Sequence, residues 1–289
     1  MQSASPTPAL IIIGAGRSGT NMLRDLLVQI PGFGTWPCDE INYIWRHGNA
    51  RCPTDEFSPN HVTESNTAYI HRAFDKVAKT QGVDQVVEKT CANSLRVGFV
   101  DRIFPDARYI YIVRDGRDVV NSAMKRWTAP LDLPYILRKA HYVPPGDVPY
   151  YGFRYLWNHI YRYASGARRL ASWGPRFKGM EAALHSKTLA EVCALQWRRC
   201  IERSEEDLAN ISPGRVHRLC YDSFVKDPVA GINSLAGFLD IQLSSAEISR
   251  VKQFVSAEHV GKWRRELSIE DQERIEPIIG SLIGTYGFV

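Results

Sequence analysis

Short apolar runs alternate with amphipathic segments along most of this chain. Ala9–Ile13 is a continuous apolar run rich in isoleucine, which predicts a buried strand. A glycine-rich turn, Gly14–Gly19, follows directly. Within Thr20–Ile30 the apolar residues stand three and four positions apart, which predicts a helix that Pro31 ends. The chain is therefore expected to begin with a strand, a glycine loop and a helix.

The same alternation returns further along the chain. The later predicted strands are Gln85–Val87, Arg108–Val113 and Val216–Leu219. The later predicted helices are Asn93–Phe104, Arg117–Trp127, Thr188–Leu208, Pro228–Leu239 and Ile269–Ile283. Strands that alternate with helices predict parallel βαβ units and therefore an α/β fold.

Residues 128–187 interrupt the alternation. Prolines are frequent in the first part of this range, and aromatic side chains crowd residues 150–163. We interpret the range as an insertion or lid on the acceptor side of the α/β core. The aromatic stretch then either stacks on a ligand or forms ordinary helical core. Residues 1–8 read as a loose tail, and the chain lacks an internal repeat or long linker, so residues 1–289 are expected to form a single domain.

Composition narrows the class of protein. Hydrophobic residues make up 44% and charged residues 23% of the 289 positions, which excludes wholesale disorder. Lys and Arg number 36 against 31 Asp and Glu, a net charge of +5 that suits an anionic ligand and is too mild to indicate nucleic acid. The longest apolar runs fall far short of the ~20 residues of a membrane span.

The cysteines and the N-terminus bear on location. The six cysteines include no C-x-x-C pair and no tight Cys/His cluster, so we expect free thiols in a reducing compartment and no zinc site. The first ten residues contain no Lys or Arg, unlike the charged start of a secretory signal. A cytoplasmic protein is therefore expected.

The segment strand–GAGRSGTN–helix is typical of a phosphate-binding loop. A helix N-terminus offers unpaired N–H groups and the positive end of its dipole, and the glycines let the backbone approach an anion. The candidate anion-binding residues are Gly16, Arg17, Ser18, Gly19, Thr20 and Asn21.

Local chemistry leaves several interpretations of this loop open. It matches G-x-G-x-x-G with Asp39 and Glu40 about 20 residues on, the dinucleotide pattern, although the second strand is poor there. It also approaches the nucleotide P-loop, but Thr20 stands where that motif has lysine. A strand–helix turn without a ligand is the remaining structural alternative.

Four segments together resemble the sulfotransferases that use 3′-phosphoadenosine 5′-phosphosulfate (PAPS), in particular bacterial-type enzymes similar to carbohydrate and tyrosyl-protein sulfotransferases. These segments are ALIIIGAGRSGTN, VVEKTCANSLRV, RYIYIVRDGRDVVNSAMKRW and HVGKWRREL. Arg114 and Ser122 keep the spacing of the family's 3′-phosphate segment, whereas Cys91 replaces a proline that is common in bacterial members.

This resemblance implies a P-loop NTPase-like three-layer sandwich with a central parallel sheet, and it implies the donor site. The glycine loop would hold the 5′-phosphosulfate, and the 3′-phosphate would meet Arg114, Ser122 and Arg126, of which the last two share a helix face. The basic loop with Gly261, Lys262, Trp263 and Arg264 would close over the nucleotide. Tyr221 either lies near the nucleotide or packs in the core.

Transfer of a sulfo group needs a base at the acceptor hydroxyl and a cation at the leaving phosphate. The resemblance makes Glu40 the first candidate base, with Glu88, His47 and His61 as alternatives. Arg17 would stabilise the leaving charge and Lys89 would contact the transferred group, and no metal is required.

The sequence thus predicts a sulfotransferase acting on a hydroxyl of a sugar, a phenol, or a lipid-linked glycan or natural product. The alternatives are a nucleotide-binding protein of the same fold without catalysis, a P-loop kinase, or an NAD-dependent oxidoreductase. No nucleic-acid partner is expected, and the oligomeric state stays open.

Overall fold

A parallel sheet of five strands forms the centre of the protein. The computed structural model describes residues 7–129, 143–147, 149, 152 and 173–288. The strands are β1 (Ala9–Ile13), β2 (Phe33–Gly34), β3 (Gln85–Lys89), β4 (Arg108–Val113) and β5 (Val216–Cys220). Their spatial order is β2-β3-β1-β4-β5, and every neighbouring pair is parallel. This is the α/β architecture that the alternating pattern predicts.

Helices connect the strands and cover both faces of the sheet. The first five are α1 (Thr20–Leu27), α2 (Asn42–Trp45), α3 (Glu64–Gln81), α4 (Val97–Ile103) and α5 (Gly116–Thr128). The C-terminal helices are α6 (Met180–Ser186), α7 (Leu189–Leu208), α8 (Tyr221–Lys226), α9 (Pro228–Leu239), α10 (Ser245–Phe254), α11 (Trp263–Glu266) and α12 (Ile269–Thr285).

Alternate residues of the central strand feed two separate cores. Ile11 and Ile13 pack with residues of α3, α4, α5, α7 and α12 on one face. Leu10 and Ile12 pack with residues of α1, α8 and α9 on the other face. Because successive side chains of a strand point to opposite faces, a strand covered on both sides is apolar throughout. This explains the unbroken run at β1.

Each predicted strand and helix has the predicted type in the structure, and the predicted and observed bounds differ mainly by a few residues at the ends. The two strands Ala9–Ile13 and Arg108–Val113 have the predicted bounds. α1 ends at Leu27 rather than Ile30, since the next residues form i→i+3 turns, Gln29 N to Leu26 O and Ile30 N to Leu27 O.

One predicted helix is wrong in its interior. Asn93–Phe104 divides into a 3₁₀ helix, Cys91–Leu95, and the α-helix α4. Between them Arg96 has φ −155° and ψ 38°. Its fully buried guanidinium points into the core and makes hydrogen bonds there, one of them from Nε to Asn93 Oδ1. These tertiary contacts override the helical pattern at Arg96.

Some helices of the structure are not among the predicted elements. The largest of them is α3, which Thr63 begins by accepting from the backbone N of Asn66. Much of the range 128–187, including all of the aromatic stretch 150–163 except residue 152, lies outside the described residues, as do residues 1–6 of the tail. The acceptor-side insertion and the single domain therefore stay predictions.

Within the described ranges, no helix is both long and apolar enough to cross a membrane.

Candidate functional site

The carboxyl ends of four strands meet at one edge of the sheet, and candidate site residues follow each of them. The glycine loop follows β1, Lys89 ends β3, Arg114 follows β4 and Tyr221 follows β5. Ligands of open α/β sheets bind at this edge, because connecting loops leave a crevice there. The edge therefore brings together residues that are far apart in the sequence.

The glycine loop is folded closely against β4 and α8. A Cβ on Gly14 would stand 2.8 Å from the carbonyl oxygen of Ile112, and the backbone N of Gly14 donates to Ser94 Oγ at 3.1 Å. Gly19 has φ +88°, and a Cβ there would stand 2.4 Å from the ring of Tyr221. Both positions require glycine, so the loop can bring its backbone N–H groups close to a ligand.

The start of α1 has polar groups that lack protein partners. Ser18 is fully buried, and its Oγ has no hydrogen-bond partner among the described residues. Gly19 precedes the helix, and no side chain in the described part of the chain caps it. Thr20 is buried and Asn21 half-buried in its first turn. A buried hydroxyl beside free helix N–H groups is the donor set that a phosphate-like oxygen satisfies.

Three guanidinium groups face this loop. Burial lowers the pKa of Arg17, and the positive charges of Arg126 and Arg114 lower it further, only partly offset by Asp39 and Cys91. Arg126 itself is exposed at the end of α5. Cations that repel one another at a helix N-terminus form a field that favours a multivalent anion.

The glycine loop and α5 are in direct contact. Arg17 Nε donates to Ser122 Oγ at 2.9 Å, and Arg114 Nη1 donates to the carbonyl oxygen of Arg17 at 3.1 Å. The sequence separates these residues into a 5′ set and a 3′ set. In the structure two hydrogen bonds join Arg17 of the first set to Ser122 and Arg114 of the second.

Arg114 is tied down on several sides. Its Nη2 donates to the carbonyl oxygen of His259 and lies 3.5 Å from Asp118 Oδ2. Its guanidinium carbon lies 4.5 Å from the ring centre of Tyr221. Its buried Nε has no partner within the described residues. Arg114 is therefore preoriented, with one N–H group still to be satisfied.

The carboxylate of Asp118 holds the start of the basic loop to α5. Asp118 accepts from the backbone N of Gly261 at 2.7 Å and from the backbone N of Trp263 at 3.0 Å. The indole of Trp263 is 8% exposed, and the guanidinium carbons of Arg117 and Arg264 lie 4.1 and 4.5 Å from its ring centre. Lys262 is half-buried beside them. Trp263 thus anchors the loop, while Lys262 and Arg264 remain on its surface.

The candidate base forms an ion pair next to the glycine loop. Glu40 Oε1 lies 3.1 Å from Lys89 Nζ and accepts from the backbone N of Cys91 at 3.4 Å. Cys91 Sγ in turn lies 3.7 Å from Thr20 Oγ1 at the start of α1. The side chain of Glu40 is 27% exposed, so its carboxylate can still reach a ligand.

The pKa values of Lys89 and Cys91, the two residues that contact Glu40, are shifted from their ordinary values. Burial disfavours the ammonium of Lys89, but the charge of Glu40, with smaller help from Cys91, outweighs burial and raises the pKa of Lys89. Burial, followed by the charge of Glu40, raises the pKa of the Cys91 thiol to about 12. Lys89 therefore stays charged and Cys91 stays a neutral thiol at neutral pH.

The three alternative bases lie in other surroundings. Glu88 is fully buried, and this burial is the main cause that raises its pKa. His61 Nδ1 lies 3.2 Å from the backbone N of Ser58 in the cap of a 3₁₀ helix. His47 Nδ1 lies 3.2 Å from Asp147 Oδ2. Each of these three groups already has a local partner away from the glycine loop.

Two residues near the site are absent from the sequence-based set. Asp118 lies 3.5 Å from Arg114 and also accepts from the backbone N of Gly261 in the basic loop. Trp173 contacts the glycine loop, with its indole 3.4 Å from the position of a Cβ on Gly16. No local pattern points to Trp173, because only the tertiary fold brings it to the loop.

Similarity to known proteins agrees with this geometry. Residues 8–143 match the family model described as the sulfotransferase family. A search of curated proteins finds no match. No group of three or more His, Cys, Asp or Glu side chains in the described residues is arranged to hold a metal ion.

Several solved structures share the fold at low sequence identity. The sulfotransferase domain of the curacin biosynthetic pathway is 14% identical with a TM-score of 0.54, over 96% of this chain and 99% of that one. Sulfotransferase STF9 from Mycobacterium avium is 14% identical with a TM-score of 0.54, over 98% and 77%. Mouse sulfotransferase SULT7A1, in complex with PAP, is 13% identical with a TM-score of 0.50, over 96% and 85%.

Proposed function

We propose that this chain is a sulfotransferase that transfers a sulfo group from PAPS to a hydroxyl acceptor; its match to the sulfotransferase family model and its fold support this. The observation that carries the proposal is the pairing of two features at one sheet edge. A cationic helix N-terminus with the buried, unpartnered hydroxyl of Ser18 stands next to the ion pair of Glu40 and Lys89. An anionic donor and a deprotonated acceptor need these two features side by side.

The residues present fit a donor with an anion at each end. The start of α1, with Ser18 and Arg17, suits the 5′-phosphosulfate, since it combines N–H donors, a hydroxyl and a positive charge. The face of α5 with Ser122 and Arg126, together with Arg114 Nε, suits the 3′-phosphate. The mouse sulfotransferase of similar fold was solved with PAP, the corresponding product nucleotide, which supports this donor.

The chain's own groups supply the acid–base and electrostatic parts of the reaction. When bound, the donor supplies the sulfo group and a phosphate leaving group. Glu40 takes the proton of the acceptor hydroxyl as its oxygen forms the new bond to sulfur. Arg17 stabilises the negative charge that develops on the leaving phosphate oxygen, and Lys89 orients Glu40 and faces the transferred group. None of these steps requires a metal ion.

The acceptor class and location are further parts of the proposal. A sugar, a phenol, or a lipid-linked glycan or natural product offers the hydroxyl that Glu40 would deprotonate. The six cysteines are all free thiols, which supports a reducing, cytoplasmic location.

Calorimetric titration with adenosine 3′,5′-bisphosphate tests the donor. We expect tight binding without metal, and much weaker binding of ADP, ATP with magnesium, and NAD. Preference for ATP or NAD would contradict the donor assignment. Replacement Arg126→Ala should weaken bisphosphate binding more than ADP binding, because ADP lacks the 3′-phosphate.

Replacement Glu40→Gln tests the base. The amide keeps the shape of the side chain and cannot accept the proton, so we expect loss of turnover with bisphosphate binding retained. Retained turnover would exclude Glu40 as the base. Bisphosphate binding by the wild type without sulfation of any hydroxyl acceptor would instead favour a nucleotide-binding protein without catalysis.

A further inference from the structure

The turn that carries Glu40 is held residue by residue. It lies between β2 and α2 and belongs to neither element. Glu40 binds Lys89, and the next residue, Ile41, donates its backbone N–H to Thr90 Oγ1 at 3.2 Å. Both partners stand at the carboxyl end of β3. The position of the Glu40 carboxylate therefore depends on contacts to that strand.

The first residue of α2 is held by its side chain. Asn42 Oδ1 accepts from Arg96 Nη2 at 2.6 Å, and Asn42 Nδ2 donates to Asp55 Oδ1 at 3.3 Å. An amide that both accepts from a cation and donates to an anion has one favourable orientation. Asn42 thus fixes the first turn of α2, directly after Glu40.

The partners of Asn42 form a buried ion cluster. Asp55 is 1% exposed and lies 2.6 Å from Arg46 Nη1 and 3.5 Å from Arg96 Nη1. Its Oδ2 accepts from the backbone N of Arg176 at 2.8 Å. Burial would favour the neutral acid, but Arg96, Arg46 and the hydrogen bonds outweigh it and lower the pKa of Asp55. The cluster is a fixed, charged anchor inside the protein.

From this arrangement we propose that Thr90 and Asn42 are positioning residues for Glu40. The Thr90 hydroxyl sets the backbone of the turn, and Asn42 locks the following helical turn to the ion cluster around Asp55. The proposal rests on the proposed role of Glu40 as the base. Neither residue needs to touch the donor or the acceptor.

The energetics of a buried N–H explain why the Thr90 hydroxyl matters. Thr90 is fully buried and Ile41 is 2% exposed, so no solvent can replace their hydrogen bond. Valine has the shape of threonine and leaves the Ile41 N–H without an acceptor. The turn must then shift to find one, and a displacement of about 1 Å at a catalytic group lowers a rate by roughly 100-fold.

Thr90→Val and Thr90→Ser form the matched test pair. Hydrogen–deuterium exchange of peptides covering residues 38–45 reports on the turn without any substrate. We expect faster exchange in Thr90→Val than in the wild type, and wild-type exchange in Thr90→Ser, which keeps the hydroxyl. Unchanged exchange in Thr90→Val would overturn the proposal. If Thr90→Val does not fold, Asn42→Ala must give the same local increase in exchange, and its absence there is equally decisive.

Turnover separates positioning from a general effect on structure. With PAPS and phenol as probes, since the phenol hydroxyl stays protonated at neutral pH, we expect kcat of Thr90→Val to fall roughly 10- to 100-fold, with the affinity for adenosine 3′,5′-bisphosphate unchanged and Thr90→Ser close to the wild type. Full kcat in Thr90→Val beside an inactive Glu40→Gln overturns the positioning role alone. An active Glu40→Gln overturns the base assignment, and the positioning role with it.

Discussion

The guanidinium of Arg17 and the hydroxyl of Ser122 lie 2.9 Å apart, although 105 residues separate them in the chain. Arg17 belongs to the loop after β1, and Ser122 lies on the helix after β4. Because Ser122 accepts from Arg17, the hydroxyl orients the guanidinium and keeps its own proton for another acceptor. One serine therefore joins the two proposed phosphate regions.

Replacement Ser122→Ala tests this junction. The change removes a hydroxyl from the proposed 3′-phosphate site and also releases Arg17 Nε. A hydrogen bond to a charged group contributes about 1.5–3 kcal/mol, so we expect affinity for adenosine 3′,5′-bisphosphate to fall by roughly 10- to 100-fold. Calorimetry with ADP should show a much smaller loss. Ser249→Ala is the matched control, since that exposed helical hydroxyl only bonds the carbonyl oxygen of Ser245. Equal losses for both nucleotides would place Ser122 outside a 3′-phosphate site.

The pair of Lys89 and Glu40 predicts a pH-dependent stability. The folded state raises the pKa of Lys89 above 10.5, so the stabilisation is complete below that pH and is lost as the pH rises through the folded-state pKa. We expect Lys89→Met to lower the free energy of unfolding at neutral pH by about 1–3 kcal/mol. Urea unfolding across the alkaline range should show this difference shrinking above pH 10.5. A difference that stays constant there would mean that charge pairing is not its cause.

The glycine loop gives a prediction with an internal control. Gly19→Ala adds a Cβ at φ +88°, 2.4 Å from the ring of Tyr221, so we expect a loss of about 2 kcal/mol or more in stability and loss of nucleotide binding. Gly237 lies inside α9, and nothing stands within 4 Å of a Cβ placed there. Gly237→Ala should therefore stabilise the protein by about 0.5–1 kcal/mol. Thermal unfolding of the two variants tests both changes in stability. A Gly19→Ala variant as stable as the wild type would contradict the loop geometry.

The buried carboxyl of Glu88 predicts a second pH-dependent change in stability, this time between acid and neutral pH. Burial raises its folded-state pKa above 4.5, so its contribution to stability is present below that pH and is lost as the pH rises through the folded-state pKa. Glu88→Gln removes the titration and can still accept from Asn93, which now donates to Glu88 Oε2 at 2.9 Å. We expect the two proteins to be nearly equal in stability at low pH and the variant to gain as the pH rises, by up to about 1.4 kcal/mol per pH unit. Parallel urea titrations from acid to neutral pH test this, and parallel stability curves would refute it.

The local pattern of apolar residues and glycines was enough to predict the strands and the helix that meet at the site. The strand Ala9–Ile13, the start of α1 at Thr20 and the strand ending before Arg114 follow from apolar periodicity and glycine placement. The motif resemblance added the grouping of Glu40, Lys89 and the loop. The structure brings these groups to one edge, and their roles stay predictions.

Other features depend on tertiary contacts that no local pattern contains. Arg96 lies in a segment that reads as a continuous helix, yet it breaks that helix because Asp55 and Asn42 hold its guanidinium in the core. Glu88 and Glu40 are both candidate bases in the sequence, and only burial distinguishes the fully enclosed carboxylate from the partly exposed one. The contact of Trp173 with Gly16 joins segments that are more than 150 residues apart in the sequence.

The carboxylate of Asp118 fixes the backbone at Gly261 and Trp263 through two hydrogen bonds. A loop that is already ordered loses little conformational entropy when a ligand arrives. The proposed nucleotide would then enter a preformed cleft instead of ordering a flexible loop around itself. Association should accordingly be a single fast step whose rate rises with nucleotide concentration without a plateau, and affinity differences among variants should lie mainly in the dissociation rate.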